Sequence, residues 1–221
     1  KRQILTVPLI LEKIYKKMIL PQLSKTTMKV ALNIPLLDSR IYAQIRKKLV
    51  DAFGGRFREV IVGGAAMNEE VTNFLYKIKF PFTIGYGMTE CGPLISYDHN
   101  DEYVPGSCGQ ILKGIMKVRI DSEDPYNKVG EIQVSGENVM KGYYKNEEAT
   151  SKVFTEDGWL RTGDLGTIDA DNRIYIRGRS KTMILGASGQ NIYPEEIESK
   201  LNNLPFVMES IIIEKNGKLV G

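Results

Sequence analysis

The segment Gly85 to Pro93, GYGMTECGP, sets an aromatic ring, a hydroxyl and a carboxylate among glycines. Gly85 and Gly87 let the backbone approach a ligand closely, and Tyr86 between them offers a flat face on which a base can stack. Thr89 supplies a hydroxyl for a phosphate oxygen, and Glu90 a hard carboxylate suited to magnesium. Together these residues outline a nucleotide pocket. Taken singly, Tyr86 also reads as packing, Thr89 as a turn former and Glu90 as a solvated charge.

Two further segments have the same character. In WLRTGDLG, Trp159 to Gly166, Asp164 follows a glycine that can hold an unusual turn, and its carboxylate oxygens could accept from both hydroxyls of a ribose. A capped β-turn is the alternative, since aspartate beside glycine is common in turns. In IRGRSKTMILGASGQNIYPEEIE, Ile176 to Glu198, Arg179 offers a planar fork for ribose or phosphate oxygens, and Lys181 falls where the β-rich part ends. The loop Gly186-Ala187-Ser188-Gly189 is slim enough for a ligand to pass along, or is simply a hairpin tip.

These residues need elements to position them. Ile10, Ile14 and Met18, with Leu11, Tyr15 and Ile19 beside them, predict an amphipathic helix ending near Pro21. A second helix is predicted from a cap at Asp38 to the breaker pair Gly54-Gly55. A strand over Val60 to Val62 then ends at Gly63-Gly64, Asn68 caps a helix carrying Val71, Phe74, Leu75 and Ile78, and a strand from Pro81 ends at Gly85. Strand, glycine turn and helix in that order describe an open α/β sheet, whose ligands collect at the carboxyl ends of the strands. Both glycine turns are therefore candidate ligand walls.

From Val104 to Gly178 short β-type runs replace helical periodicity, predicting a small β-barrel-like subdomain. Beyond it, Pro194 suits the first turn of a helix, a strand follows over Val207 to Ile213, and Asn216-Gly217 marks a hairpin turn. The fold class is thus α/β. Residues 1–103 form part of an open layered α/β sheet subdomain, 104–180 the β-rich subdomain, and 181–221 the start of a small α+β domain. The chain reads as an internal piece of a longer protein.

Composition narrows the function classes. With 26% charged and 42% hydrophobic residues the chain has ordinary globular composition, and its formal net charge is only +3. The longest basic cluster, Arg46-Lys47-Lys48, sits on the polar side of a predicted helix, so no nucleic-acid partner is expected. Two cysteines, Cys91 and Cys108, lack zinc-site spacing and fit a reducing cytoplasm. The single histidine, His99, reads as a surface loop residue. No apolar run approaches the roughly 20 residues a membrane span needs, so any membrane contact is expected to be peripheral.

In their order and spacing, GYGMTE, TGDLG and GRSKTMILGASGQNIYPEEIE resemble the adenylate-forming superfamily of acyl-CoA synthetases, luciferases and peptide-synthetase adenylation domains. Upstream, VPLILEKIYKKM and VIVGGAAMNEEV resemble its long-chain fatty acyl-CoA synthetase branch in particular. The resemblance implies that Tyr86 stacks on adenine, with Gly63, Gly64, Ala65 and Gly87 lining the nucleotide pocket. It implies that Thr89 contacts the adenylate phosphate, Glu90 holds magnesium, Asp164 grips the ribose hydroxyls and Arg179 contacts ribose or phosphate. Lys181 matches the hinge between large and small domains, and Gly189 the loop lining the pantetheine tunnel.

The activity so implied joins a long-chain fatty acid to coenzyme A through an acyl adenylate, using ATP and magnesium and releasing AMP. The family's phosphate loop and its C-terminal lysine have no match in these residues, so the chain alone is expected to be inactive. Two rival readings stand beside it. One is an adenylating enzyme that delivers its acyl group to a carrier protein or stops at the acyl adenylate; the other is a noncatalytic nucleotide or lipid-binding module.

Overall fold

The structure is a computed structural model that describes residues 2–34, 37–186, 190–204, 207, 209–215 and 218–221. The chain divides into two compact units, one of Lys1–Tyr86 with Asp98–Gly106 and one of Gly87–Tyr97 with Ser107–Gly221.

The first unit carries parallel strands β1 (Arg2–Thr6), β2 (Phe57–Val62) and β3 (Phe82–Gly87). In register, Ile4 faces Val60 and Val60 faces Phe82. Their helices are α1 (Pro8–Ile14), continued by a π-helical turn over Tyr15–Ile19 into α2 (Leu20–Leu23), then α3 (Thr26–Leu32), α4 (Leu37–Ala52) and α5 (Glu69–Lys77). The first helix runs past Pro21 because that proline, which has no N–H to donate, falls in the opening turn of α2 just after the π turn.

Of the two apolar sets in that helix, Leu11, Tyr15 and Ile19 enter the core, while Ile10 and Met18 remain 47% and 56% exposed. Helix α5 begins as its sequence predicts. Asn68 Oδ1 accepts from the backbone N–H groups of Glu70 and Val71 at 3.0 and 3.3 Å, satisfying donors the helix cannot, while Val71, Phe74 and Leu75 enter the same core. That core closes on Val60, Val62 and Phe82.

The sheet also buries a charge. Glu59, on β2, is fully buried, and its carboxylate accepts from Gln3 Nε2 at 2.8 Å and from Asn100 N at 3.0 Å, with His99 Nδ1 at 3.3 Å. His99 is therefore not simply a surface loop residue. Its ring covers a carboxylate that would be costly to bury without partners.

The second unit holds β4 (Leu94–Tyr97) and a meander of β5 (Met116–Asp121), β6 (Gly130–Gly136), β7 (Leu160–Ile168) and β8 (Ile174–Arg179), antiparallel in that order. The connection from β6 to β7 carries α6 (Glu147–Val153). The predicted barrel is corrected here. Among the described residues β5 and β8 do not pair, so the meander is an open sheet; closing a barrel takes more strands at a steep tilt. The fold class, α/β built on open sheets, stands.

At the C-terminal end, β9 (Ile184–Leu185) and β10 (Asn191–Ile192) pair antiparallel, and α7 (Pro194–Leu201) starts on its proline. β11 (Ile213–Lys215) pairs with β12 (Lys218–Val220), so the strand predicted from Val207 begins only at Ile213. The turn residues Asn216 and Gly217 lie outside the described residues. No described helix is long and apolar enough to cross a membrane.

Candidate functional site

In the first unit, strand order brings the two glycine turns together. Val62 pairs with Ile84, so Gly63 leaves β2 beside Gly85 of β3, and a Cβ on Gly63 would stand 3.3 Å from the Gly85 carbonyl oxygen. Gly63, Gly64 and Ala65 thus lie at the carboxyl end of β2, next to the strand end that carries Tyr86, where ligands of parallel sheets collect. Tyr86 itself is 7% exposed.

In the second unit, the rest of the motif folds into a tight loop. Thr89–Cys91 form one 3-10 turn, closed by Cys91 N donating to the Met88 carbonyl at 2.9 Å, and a cis peptide joins Gly92 to Pro93. Gly87 must be glycine, because a Cβ there would collide with the Pro93 carbonyl oxygen and reach within 2.9 Å of Leu94 Cα.

The loop is held from the segment that follows β6. Asn138 Nδ2 donates to the carbonyls of Cys91 and Leu94 at 2.7 and 2.9 Å, spanning the turn, and Met140 N donates to the Glu90 carbonyl at 2.7 Å. The Tyr143 hydroxyl donates to Glu90 Oε1 at 2.9 Å, and this bond pushes the phenol up from its ordinary value. Thr89 is exposed and Glu90 half-buried.

Asp164 lies on β7 in register with Arg179 on β8, and Arg179 Nε meets Asp164 Oδ1 at 3.1 Å. Asp164 is 7% exposed while the Arg179 side chain is 72% exposed, so a nearly buried carboxylate is covered by a solvated guanidinium. The strand is irregular here, with pairing shifts at Glu131/Gln133 and at Leu165/Gly166. Gly163 adopts φ +74°, a conformation that favours glycine.

Side chains brace that bend. Glu131 Oε1 accepts from Gly163 N at 3.3 Å and its Oε2 from Arg161 at 3.0 Å; Thr162 Oγ1 donates to the Ile132 carbonyl at 2.7 Å and accepts from Asp164 N at 3.1 Å. Ser180 donates to the Gly163 carbonyl through both its N–H and its hydroxyl, at 2.9 and 3.1 Å. Bulges of this kind re-aim a side chain, here Asp164.

Lys181 is exposed in the turn that leaves β8, where the amides of Thr182 and Met183 donate to the Arg179 carbonyl at 3.2 and 3.0 Å. Thr182 Oγ1 then donates to Glu195 Oε1 of α7 at 2.6 Å. Gly189, with Ala187 and Ser188, lies outside the described residues.

The structure thus joins Asp164 to Arg179 and Gly63 to the Gly85 turn, and it adds Glu131, Asn138, Tyr143, Thr162 and Ser180, which sequence reading did not single out. Thr162 and Ser180 adjoin residues it did name. Asn138 and Tyr143 meet the 85–93 loop across 47 and 53 residues of chain, too far for any local pattern to reveal.

Burial pushes the Cys91 thiol up to about 11 and the Cys108 thiol up to about 12, which disfavours the reactive thiolate at both. Among the described residues no cluster of three or more histidine, cysteine, aspartate or glutamate side chains forms a metal cage.

Residues 4–144 match the model of the AMP-binding enzyme family. A 4-coumarate–CoA ligase of Narcissus pseudonarcissus is 33% identical over 192 residues, covering 81% of this chain and 35% of that protein. A long-chain-fatty-acid–CoA ligase of Mycobacterium bovis is 31% identical over 177 residues, covering 80% of this chain and 28% of that one. Among solved structures, the O-succinylbenzoate coenzyme A synthetase of Bacillus subtilis in complex with ATP and magnesium ion is similar with a TM-score of 0.70 at 26% identity, covering 98% of this chain and 40% of that chain.

The chain belongs to the AMP-binding enzyme family, within the adenylate-forming superfamily. It spans about a third of the length of the ligases it matches.

Proposed function

We propose that the full-length protein is an AMP-forming ligase that joins a long-chain fatty acid to coenzyme A. A carboxylate oxygen of the fatty acid attacks the α-phosphorus of ATP and pyrophosphate leaves; the coenzyme A thiol then attacks the acyl carbon and AMP leaves. The observation that carries this reading is the Asp164–Arg179 pair. A nearly buried carboxylate, aimed by a braced bulge and covered by one guanidinium, can accept from vicinal hydroxyls while the guanidinium answers the adjoining phosphate.

In this reading Tyr86 stacks on adenine against Gly63, Gly64, Ala65 and Gly87, and the Thr89 hydroxyl meets the α-phosphate. Asp164 holds the ribose, so the α-phosphorus is presented to the attacking acid in a fixed orientation. Glu90 fits magnesium. It is a hard carboxylate outside any group of three or more such ligands among the described residues, and magnesium is ordinarily held by one or two carboxylates plus substrate phosphates rather than by an all-protein cage. When bound, the ion supplies charge neutralisation at the phosphates.

The domain limits 1–103, 104–180 and 181–221 belong to the same proposal, with Lys181 as the hinge and Gly189 beside the pantetheine path. The turn at Thr182–Met183, closed on the Arg179 carbonyl, supports a pivot there. A cytoplasmic location with any membrane contact peripheral is also part of the proposal, supported by two cysteines that form no disulfide.

The resemblance of VPLILEKIYKKM and VIVGGAAMNEEV supports the fatty acid substrate, as does the 31% identical fatty-acid ligase. The 33% identical coumarate ligase supports a second reading, an aromatic acid. Thioester formation by the full-length protein with palmitate and with 4-coumarate separates them, and preference for coumarate would overturn the fatty acid reading. Adenylate without thioester would point to a carrier-protein acceptor, and no pyrophosphate exchange with any acid to a binding module. Lys181→Pro should slow thioester formation more than adenylation; equal losses would refute the hinge.

A further inference from the structure

We propose that Tyr143 is a positioning residue that confines Glu90 to one-oxygen coordination of the nucleotide's metal ion and so makes the site discriminate magnesium from calcium. The inference rests on the reading that Glu90 holds that ion. The Tyr143 hydroxyl donates to Glu90 Oε1 at 2.9 Å, so Oε2 keeps the greater share of the carboxylate's charge for a cation. Magnesium accepts single oxygens in a tight octahedron, whereas calcium takes more ligands at longer distance and readily uses both oxygens of a carboxylate. A phenol that draws charge from one oxygen and fixes the carboxylate rotamer therefore favours coordination through the other oxygen alone, which suits magnesium, over the bidentate mode that calcium uses.

Both partners of this hydrogen bond are anchored, although it lies at the surface. Tyr143 N donates to Thr150 Oγ1 at 2.9 Å, Thr150 Oγ1 donates to the Asn146 carbonyl at 2.8 Å, and Asn146 Oδ1 caps α6 through Ala149 N at 3.0 Å. Gly142 makes that approach possible, since a Cβ there would stand 2.8 Å from Thr150 Cγ2. On the other side, Met140 N fixes the Glu90 carbonyl at 2.7 Å. Because the chain is already ordered on both sides, the bond costs little further conformational entropy, which is what allows a surface hydroxyl to hold a carboxylate rotamer. Partners that orient a metal ligand are commonly worth about 10–100-fold in metal affinity.

The test uses the full-length protein with a non-hydrolysable ATP analogue and bound Mn2+ observed by electron paramagnetic resonance, titrated with Mg2+ or Ca2+ as competitor. In Tyr143→Phe and Tyr143→Met the Mg2+ needed to displace Mn2+ should rise relative to Ca2+, narrowing the Mg2+ preference by about tenfold, the lower end of the range for such partners. Glu90→Gln should weaken Mn2+ binding itself. A purely structural tyrosine would shift the melting temperature and leave the competition ratio alone. Unchanged ratios in both tyrosine variants, with Mn2+ lost in Glu90→Gln, overturn the role of Tyr143 and leave the Glu90 reading intact. Full Mn2+ binding in Glu90→Gln removes the metal reading and this inference together.

Discussion

Replacing Asp164 with alanine tests the proposed ribose contact. The ion pair it breaks contributes little: the Arg179 side chain is 72% exposed, so solvent screens the pair and its loss costs about 0–1 kcal/mol of stability. The nucleotide should feel the change far more. Two ribose hydroxyls donating to a carboxylate are worth about 1.5 kcal/mol each at the low end for charged acceptors, about 3 kcal/mol together. At 1.4 kcal/mol per decade, Asp164→Ala should weaken AMP binding by about 100-fold, and Arg179→Ala by about fivefold if one exposed contact is lost.

Calorimetry of the full-length protein with AMP gives the affinity, and 2′-deoxy- and 3′-deoxy-AMP supply the decisive comparison. Each missing hydroxyl should cost the wild type about tenfold and cost Asp164→Ala almost nothing, because the acceptor is already gone. If the deoxy nucleotides are penalised equally in both proteins, the ribose does not read Asp164 and the assignment fails.

Asn138→Ala leaves two carbonyls of the 85–93 loop without their donor and should lower the unfolding free energy by about 2 kcal/mol in urea, with Asn138→Asp worse because oxygen would then face oxygen. An unchanged midpoint would show that the clamp is idle. Gly87→Ala drives a methyl into the Pro93–Leu94 backbone and should cost about 2 kcal/mol together with nucleotide affinity; a fully stable variant would contradict the packing described for the turn. Burial raises the Cys91 and Cys108 thiols to about 11 and about 12, so the folded protein should resist thiol reagents at pH 8. Because these groups hold their protons more tightly folded than unfolded, their stabilisation is complete below about pH 8.5 and is lost as pH rises through 11 to 12. Urea titrations of wild type and Cys108→Ala across that range should converge, and parallel curves would refute the linkage.

Local signals were legible where one element decides the outcome. Asn68 caps α5 because a side-chain oxygen two or three residues ahead of unsatisfied amides meets them in any helix that starts there. Pro194 opens α7 for a similar reason. The first helix shows the limit of such reading. Its sequence holds two apolar sets one residue apart, and only the neighbouring sheet and helices select Leu11, Tyr15 and Ile19 over Ile10 and Met18.

The strand-rich region shows the same limit at larger scale, since alternation marks strands but does not say whether the outermost two meet. They do not, and the predicted barrel is an open meander. Residue types and motif order determined the family, the nucleotide-type chemistry and the names of the candidate residues, because those depend on side chains and short turns. Tertiary structure decided that Arg179 covers Asp164, that Asn138 spans the loop and that Tyr143 occupies one oxygen of Glu90. Such contacts join residues far apart in the chain, and their distances follow from sheet register and loop closure, which no local stretch of sequence encodes.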